Sequence, residues 1–562
     1  MVVKRIFFIL NKEFSSINQA AFLLGFFALL SQILGLVRDK LLAYYIGPSP
    51  TLDAYYAAFR VPDFIYISIA SLASITVLIP FLVKKMSDGR QNEEVKKFMD
   101  GIFTAFLTVM IAVSLVVFFL LPLITRLVTP GFSPALQREV VNLSRIMLIS
   151  PILLGLSNLF GTITQFFKKF FVFALSPIFY NFGIIIGIVF LYPLFGGRGL
   201  AFGVILGALM HLLIQLPTVI KNGFSPRIST LVDWKQLKEV ISLSLPRTLG
   251  LVSNNLALII LVSIASFMYQ GSISIFNFSL NLQSVPLGII GMSYSVAAFP
   301  TLAKFFGLND QKNFVGHLSA AAKQIIFWSM PITFLFIVLR AQIVRVIYGS
   351  GAFNWGNTRL TAAALAFFSI SILAQGLILL FTRGYYAAHQ TKKPLIINFL
   401  CSVLIVVLAY VLFQVFVSFA PFRNLIESIL RVSDIQGTEV LMLPLAYSIG
   451  TIFNLILHWV HFKKDFVGPG QFLRKVFLQS LVSSFVIGVV AYLALGVFDD
   501  IFRLNTFLGI FLQGLFAGLL GLVAGFIVLK IMKNDELNQI TETIRTKFWK
   551  AKVIAPSQGD LV

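Results

Sequence analysis

Apolar runs of twenty or more residues recur along the chain from Ala20 to Leu529, and short lysine-bearing stretches interrupt them at regular intervals. A helix rising 1.5 Å per residue needs about 20 such residues to cross about 30 Å of hydrocarbon. Lysine marks the cytoplasmic loops of membrane proteins, so its spacing serves as a ruler. Eight clusters stand at Lys4/Lys12, Lys84 to Lys97, Lys168/Lys169, Lys221 to Lys238, Lys304 to Lys323, Lys392/Lys393, Lys463 to Lys475 and Lys530 to Lys552, and only Lys40 falls in a gap. The last six gaps hold 70, 51, 65, 68, 69 and 54 residues (98–167, 170–220, 239–303, 324–391, 394–462, 476–529). Each holds one out-and-back pair of spans. Seven hairpins predict fourteen helices with both termini in the cytoplasm. The opposite turns fall at Gly47-Pro-Ser-Pro50, Thr129 to Pro134, Gly196-Gly197, Gln270-Gly271, Gly349-Ser-Gly351, the longer stretch Ala420 to Glu439, and Asp499-Asp500.

Composition agrees with this pattern. Charged residues make up 12% of the 562 and hydrophobic residues 58%, against about 25% charged in soluble domains. A net charge of +22 in a soluble chain would suggest nucleic acid, but the basic residues sit in short loops and set membrane orientation instead. The lone Cys401 excludes a disulfide framework and a thiolate metal cluster. The N-terminal MVVKRIFFILNKEF has an apolar stretch too short for a signal peptide and reads as retained.

Charge inside a span costs about 3 kcal/mol or more and points to a wet cavity or a partner. The first span, Asn18 to Gly47, carries Arg38, Asp39 and Lys40, with Ser31, Gly35 and Arg38 on one helical face. Asp53, Arg60, Asp63 and Tyr66 follow on the other arm of that hairpin. Two readings stand: a cation awaiting an anionic ligand, or Arg38 neutralised by Asp53 or Asp63 to hold the hairpin. The seventh span offers Arg247, Ser253, Asn254 and Asn255, and the eighth places Asn277, Asn281 and Ser284 on one face. These amides suit either a polar head group or helix-to-helix bonding. His211 reads as a satisfied interior histidine, and His458, His461 and Asp465, at the lysine-rich end of a span, as no metal site.

Span two, Ala54 to Val83, contains Val61-Pro62 and ends in Pro80-Phe-Leu-Val-Lys84, while span eight, Ser272 to Ala303, contains Val285-Pro286 and ends in Pro300-Thr-Leu-Ala-Lys304. An offset of six spans suggests a parallel duplication of six-helix units. The sequence has no Gly-x4-Gly-Lys-Ser/Thr loop, no His-Glu-x-x-His and no repeated Asp-rich pair, so neither a nucleotide nor a catalytic metal is expected. Energy must then come from the membrane potential, a sodium or proton gradient, or the substrate gradient. A doubly charged anion leaving an inside-negative cell gains about 4 to 5 kcal/mol per 100 mV.

Ser31-Gln-Ile-Leu-Gly-Leu-Val-Arg-Asp39, Thr51-Leu-Asp-Ala54 and Ala58-Phe-Arg-Val-Pro62 resemble the opening of the MurJ (MviN) family, lipid II flippases of the MOP (MATE-like) exporter superfamily. Ser176-Pro-Ile-Phe-Tyr-Asn-Phe-Gly183, Leu245-Pro-Arg-Thr-Leu-Gly250, Val285-Pro-Leu-Gly288, Gly351-Ala-Phe353, Thr358-Arg-Leu-Thr361 and Arg383-Gly-Tyr-Tyr-Ala387 extend the likeness, in order, over most of the first twelve spans. The resemblance implies an all-α polytopic fold with two six-helix lobes (18–221 and 222–464) around a cavity, a lipid-groove pair at 465–532, and cytoplasmic ends at 1–17 and 533–562. It also implies a bacterial inner-membrane flippase for a lipid II-like diphosphate lipid. The family arginine falls on Arg38 and its outer acid on Asp53. Three further family arginines are replaced by Gln32, Tyr66 and Asn281, and Leu261 stands about where the family's sodium site expects an acid or amide. The expected substrate contacts are therefore Arg38, Asp39, Asp53, Arg60, Asp63, Arg247, Gln32, Tyr66 and Asn281. An exporter of another lipid-linked polysaccharide or of drugs, and an inactive scaffold, are the alternatives. Oligomeric state is not legible.

Overall fold

The computed structural model describes residues 17–70, 93–224, 227–229, 234–466 and 470–548. Among these residues every regular element is helical. Eleven helices are long and apolar enough to cross a membrane, or twelve when the pair Trp355–Ser369 and Ile372–Ala387, bent by 43°, is taken as one span. Length and composition thus come close to the fourteen spans of the lysine ruler without reaching it. Its first two positions are filled by Ile17–Tyr45 and Pro50–Ala70. The remainder of span two, with Pro80 to Lys84, lies outside the described residues.

In chain order these helices are α1 (Ile17–Tyr45), α2 (Pro50–Ala70), α3 (Glu93–Val128), α4 (Pro134–Phe166), α5 (Phe170–Phe195), α6 (Gly197–Lys221) and α7 (Trp234–Ala265). There follow α8 (Ser272–Gly307), α9 (Gln311–Val338), α10 (Trp355–Ser369 with Ile372–Ala387), α11 (Lys392–Ser418), α12 (Thr438–Asp465), α13 (Gly470–Asp499) and α14 (Phe507–Ile531). Three shorter helices do not count as spans: Arg340–Tyr348 after α9, Ala420–Leu430 after α11, and a tail helix, Asp535–Phe548. The Ala420 to Glu439 stretch, expected as a turn, therefore contains a helix. Phe422, Ile426 and Leu430 give it an apolar stripe at a spacing of four that packs inward.

The packing repeats with an offset of six. Helix α1 packs on α5, α2 on α4, and α6 on both α4 and α5; likewise α7 packs on α11, α8 on α10, and α12 on both α10 and α11. Helix α13 packs on α9 and α14, and α14 also on Arg340–Tyr348. The α5–α6 pair approaches closely because Gly183 and Gly187 face Gly207 and Gly203, where any added Cβ would strike backbone. Small residues one turn apart are the usual means of bringing membrane helices together. Pro286 is followed by a π-helical turn, Leu287–Met292, so α8 changes its winding halfway.

At the lysine-poor ends, termed outer, one apolar core joins both sets of helices, running from Leu42, Tyr55 and Val140 through Leu261, Phe278 and Tyr348 to Ala446. Toward the lysine-rich side two cores replace it. One gathers Ile65, Phe98, Leu159 and Val219, and the other Leu302, Phe314, Phe381 and Phe462. The two sets of helices therefore share one core on the outer side, while on the inner side they form two, with Val240 of α7 joining the first.

Candidate substrate cleft and its outer seal

Three consecutive charges in α1 point in three directions, because successive helical residues differ by about 100°. Arg38 donates from Nε to Asp39 Oδ1 at 2.9 Å and from its NH1 to Asn181 Oδ1 at 3.2 Å. Its NH2 lies 2.8 Å from Asp39 Oδ1, and its side chain stays 24% exposed. Asn181 also donates to Ser31 Oγ at 3.3 Å, and a Cβ on Gly35 would stand 4.0 Å from its Oδ1. The Ser31, Gly35, Arg38 face is thus the face that meets α5. Asn181, within the Ser176 to Gly183 motif, is its partner. Lys40 turns the other way, donating to the Val346 carbonyl at 3.3 Å with its ammonium 5.1 Å from the Phe507 ring centre.

Asp39 is 1% exposed and its second oxygen accepts from Asn281 Nδ2 at 2.8 Å. Arg60 donates to Asn277 Oδ1 at 2.7 Å, and its Nε is buried without a partner. Asp53 accepts from Gly271 N at 2.7 Å, Ser274 N at 2.8 Å and Ser274 Oγ at 2.6 Å. The first turn of any helix leaves N–H groups without intrahelical partners, and Gly271 has no side chain to cap them. A carboxylate from α2 does so instead, at the end of the helix dipole that favours negative charge. The readings in which Arg38 is neutralised by Asp53 or Asp63 do not match this geometry: its acid is Asp39, and Asp53 belongs to α8.

Ser274, Asn277 and Asn281 share one face of α8, at i, i+3 and i+7. That face receives Asp53, Arg60 and Asp39, all from the α1–α2 hairpin. The turns above it interlock. Ala352 N donates to Tyr44 O at 2.9 Å, Gly131 N donates to Ser266 Oγ at 3.0 Å, and a Cβ on Gly47 would stand 2.7 Å from the Ala352 carbonyl oxygen. Gly47 also has φ +64°, which a side chain would strain. These contacts form an outer seal beneath which Arg38 remains reachable.

The other expected contacts are spread more widely. Gln32 abuts Gly288 in the π turn of α8, where an added Cβ would stand 3.0 Å from its Oε1. Asp63, half-buried, makes no hydrogen bond or ion pair within the described structure. Tyr66 packs on the inner core of the first helices. Arg247 lies on α7, with its side chain outside the described residues. Leu261 is fully buried in the outer core. His211 Nδ1 meets Ser157 Oγ at 2.7 Å, and Asp465 accepts from Lys393 at 2.6 Å and Tyr385 at 3.1 Å. Among the described residues no three His, Cys, Asp or Glu side chains gather as a metal site.

Asp53→Ala should weaken the seal by about 3 kcal/mol, since it removes the acceptor of three hydrogen bonds and charge-assisted ones contribute about 1.5–3 kcal/mol each, not additively. Ser272, 2% exposed beside them, reports the change. A cysteine at Ser272 should react slowly with an impermeant thiol reagent applied outside cells, and much faster when Asp53 is alanine. Equal rates would show that the carboxylate does not hold the turns together.

A family model described as lipid II flippase MurJ matches residues 42–513. The probable lipid II flippase MurJ of Thermotoga maritima is 28% identical over 532 residues, covering 94% of this chain and 98% of that protein. Its counterpart in Treponema pallidum is 28% identical over 414 residues, covering 72% and 77%. A solved lipid II flippase MurJ in an inward closed conformation aligns at TM-score 0.71 and 25% identity, covering 92% of this chain and 100% of that one. An inward-facing multidrug resistance MATE transporter of the MOP superfamily aligns at TM-score 0.64 and 16% identity, covering 79% and 96%, and so shares the fold.

Proposed function

The chain belongs to the MurJ lipid II flippase family, and we propose that it carries lipid II, a polyprenyl-diphosphate-linked peptidoglycan precursor, from the inner to the outer leaflet by alternating access. The observation that carries this reading is Arg38, a cation 24% exposed inside a span and tied to the outer seal through Asp39. A diphosphate arriving from the inner side competes with Asp39 for the Nε and NH2 of the fork, a geometry suited to bidentate phosphate binding. Asp39 then loses its cation and must rearrange with Asn281, so binding loosens one of the three α8 contacts. Each charge-assisted bond gained is of the same order as one lost, about 1.5–3 kcal/mol. Occupancy can therefore shift the equilibrium toward outer opening, provided the substrate binds the open form more tightly.

The three replaced arginines leave Arg60 and Arg247 to supply further cationic potential, and Lys40, turned toward Val346, contributes little to the cleft. The lobes 18–221 and 222–464 rock so that the seal opens as the inner side closes, and the polyprenyl chain lies in the apolar groove between Arg340–Tyr348 and α14, lined by Leu339, Ile343, Ile347, Phe511 and Leu515. Both termini face the cytoplasm of a bacterial inner membrane, in line with the lysine clusters. The membrane potential, or a sodium or proton gradient, drives the cycle without a covalent step. The test is reconstitution: purified protein in liposomes should translocate fluorescent lipid II and leave a cationic multidrug-exporter dye behind. Dye transport without lipid II transport would replace this reading with a drug exporter.

A further inference from the structure

Between the inner halves of α8 and α9 and the first turn of the tail helix lies a cavity of about 1010 Å³. Tyr294 and Thr301 of α8, Asn313 and Gln324 of α9 and Gln539 of the tail line it with hydroxyl and amide groups, and Lys312 and Lys323 stand in the same lining as Asp535 and Glu536. Glu536 is 3% exposed and lines the same space. One of its oxygens lies 4.0 Å from Lys323 Nζ, while Oε2 is buried with no hydrogen-bond partner.

The wall bearing Glu536 is fixed in place. Asn534 donates to Gln479 Oε1 at 2.8 Å and accepts from Leu537 N at 2.9 Å, Gln479 donates to Met532 O at 2.9 Å, and Asp535 pairs with Lys475 at 2.9 Å. A buried carboxylate oxygen without a donor calls for one. Gly316 on the facing wall leaves room, since a Cβ there would meet nothing within 4 Å.

We propose that this cavity is a docking site at the inner leaflet for the head group of the lipid-linked diphosphate glycan, occupied before that head group reaches Arg38. The proposal rests on the flippase reading. The volume stands at the top of the range of about 300–1000 Å³ typical of pockets for drug-sized ligands, which suits a glycan-peptide better than a phospholipid head. Hydroxyl and amide side chains match sugar hydroxyls and peptide amides, Lys312 offers a cation to a phosphate while Lys323 stands beside Glu536, and Glu536 Oε2 accepts from a ligand hydroxyl or amide N–H.

The test uses the full-length protein in liposomes with a farnesyl-chain fluorescent analogue of lipid II. Gly316→Trp fills the cavity from an open position, and losing a mid-helix glycine does not weaken the helix. It should raise KM about fivefold or more and lower kcat much less, a split that marks lost binding rather than lost chemistry or folding. Ala320→Trp, on the same wall, should do the same. A benzophenone side chain at Ala320 should capture the analogue. An unchanged KM in both variants, or capture of bulk phospholipid in place of the analogue, would overturn the docking site. Transport of the analogue by the unmodified protein alongside those results would leave the flippase reading standing, whereas no transport of it by the unmodified protein would remove both.

Discussion

Arg38→Ala should abolish flipping of lipid II at normal protein levels, while Arg38→Lys should keep a small part of it. The guanidinium holds Asp39 through Nε and NH2 and Asn181 through NH1, so it is already oriented as a fork. Losing two charge-assisted bonds to a phosphate, at about 1.5–3 kcal/mol each, amounts to roughly 100-fold or more in binding. Lysine restores a point charge without the fork, and so recovers only part. A second effect must be separated from this one. Alanine leaves Asp39, 1% exposed, as a buried carboxylate with only Asn281 beside it, and stripping the partner from a buried ion pair costs about 3–5 kcal/mol. Arg38→Ala should therefore also lower the melting temperature. The double variant with Asp39→Ala should recover stability but not transport. If the double variant flips lipid II at the wild-type rate, Arg38 serves only to neutralise Asp39.

The sequence revealed the elements of this arrangement better than the partners. Lysine spacing located the hairpins because positive charge is retained on one side of a membrane regardless of how helices pack. The Ser31, Gly35, Arg38 face was legible from helical periodicity alone. Its meeting with Asn181 was not, since that contact spans 143 residues. Asp53 looked like a cavity acid because carboxylates in spans usually are. Its actual partners are mainly backbone N–H groups of a helix start more than 200 residues away, and backbone leaves no mark in a sequence pattern. The sequence pattern of Asn277 and Asn281 suits head-group contact and helix bonding equally. The structure has both bonded across to the α1–α2 hairpin, in the state in which the outer side is closed. Lys40 stands near Arg38 in the sequence, yet two residues along a helix the direction changes by about 200°. The two proline matches had unequal outcomes: Pro286 precedes a π turn, whereas α2 runs through Pro62 as one helix.

Alternating access requires the outer seal to open for the lipid to cross, so locking the seal should stop transport. Gly47 and Ala352 belong to opposite halves and touch at the outer surface, so cysteines at Pro48 and Ala352, with Cys401 replaced by serine, can be bridged by a short reducible thiol linker. The bridge leaves Arg38, Asp39 and Asp53 untouched. Flipping of fluorescent lipid II in liposomes should stop when the bridge is formed and return to the unbridged rate after reduction. Because the block is covalent, the loss should be nearly complete. Undiminished flipping with the bridge intact, on protein shown to be fully cross-linked, would contradict alternating access through this seal.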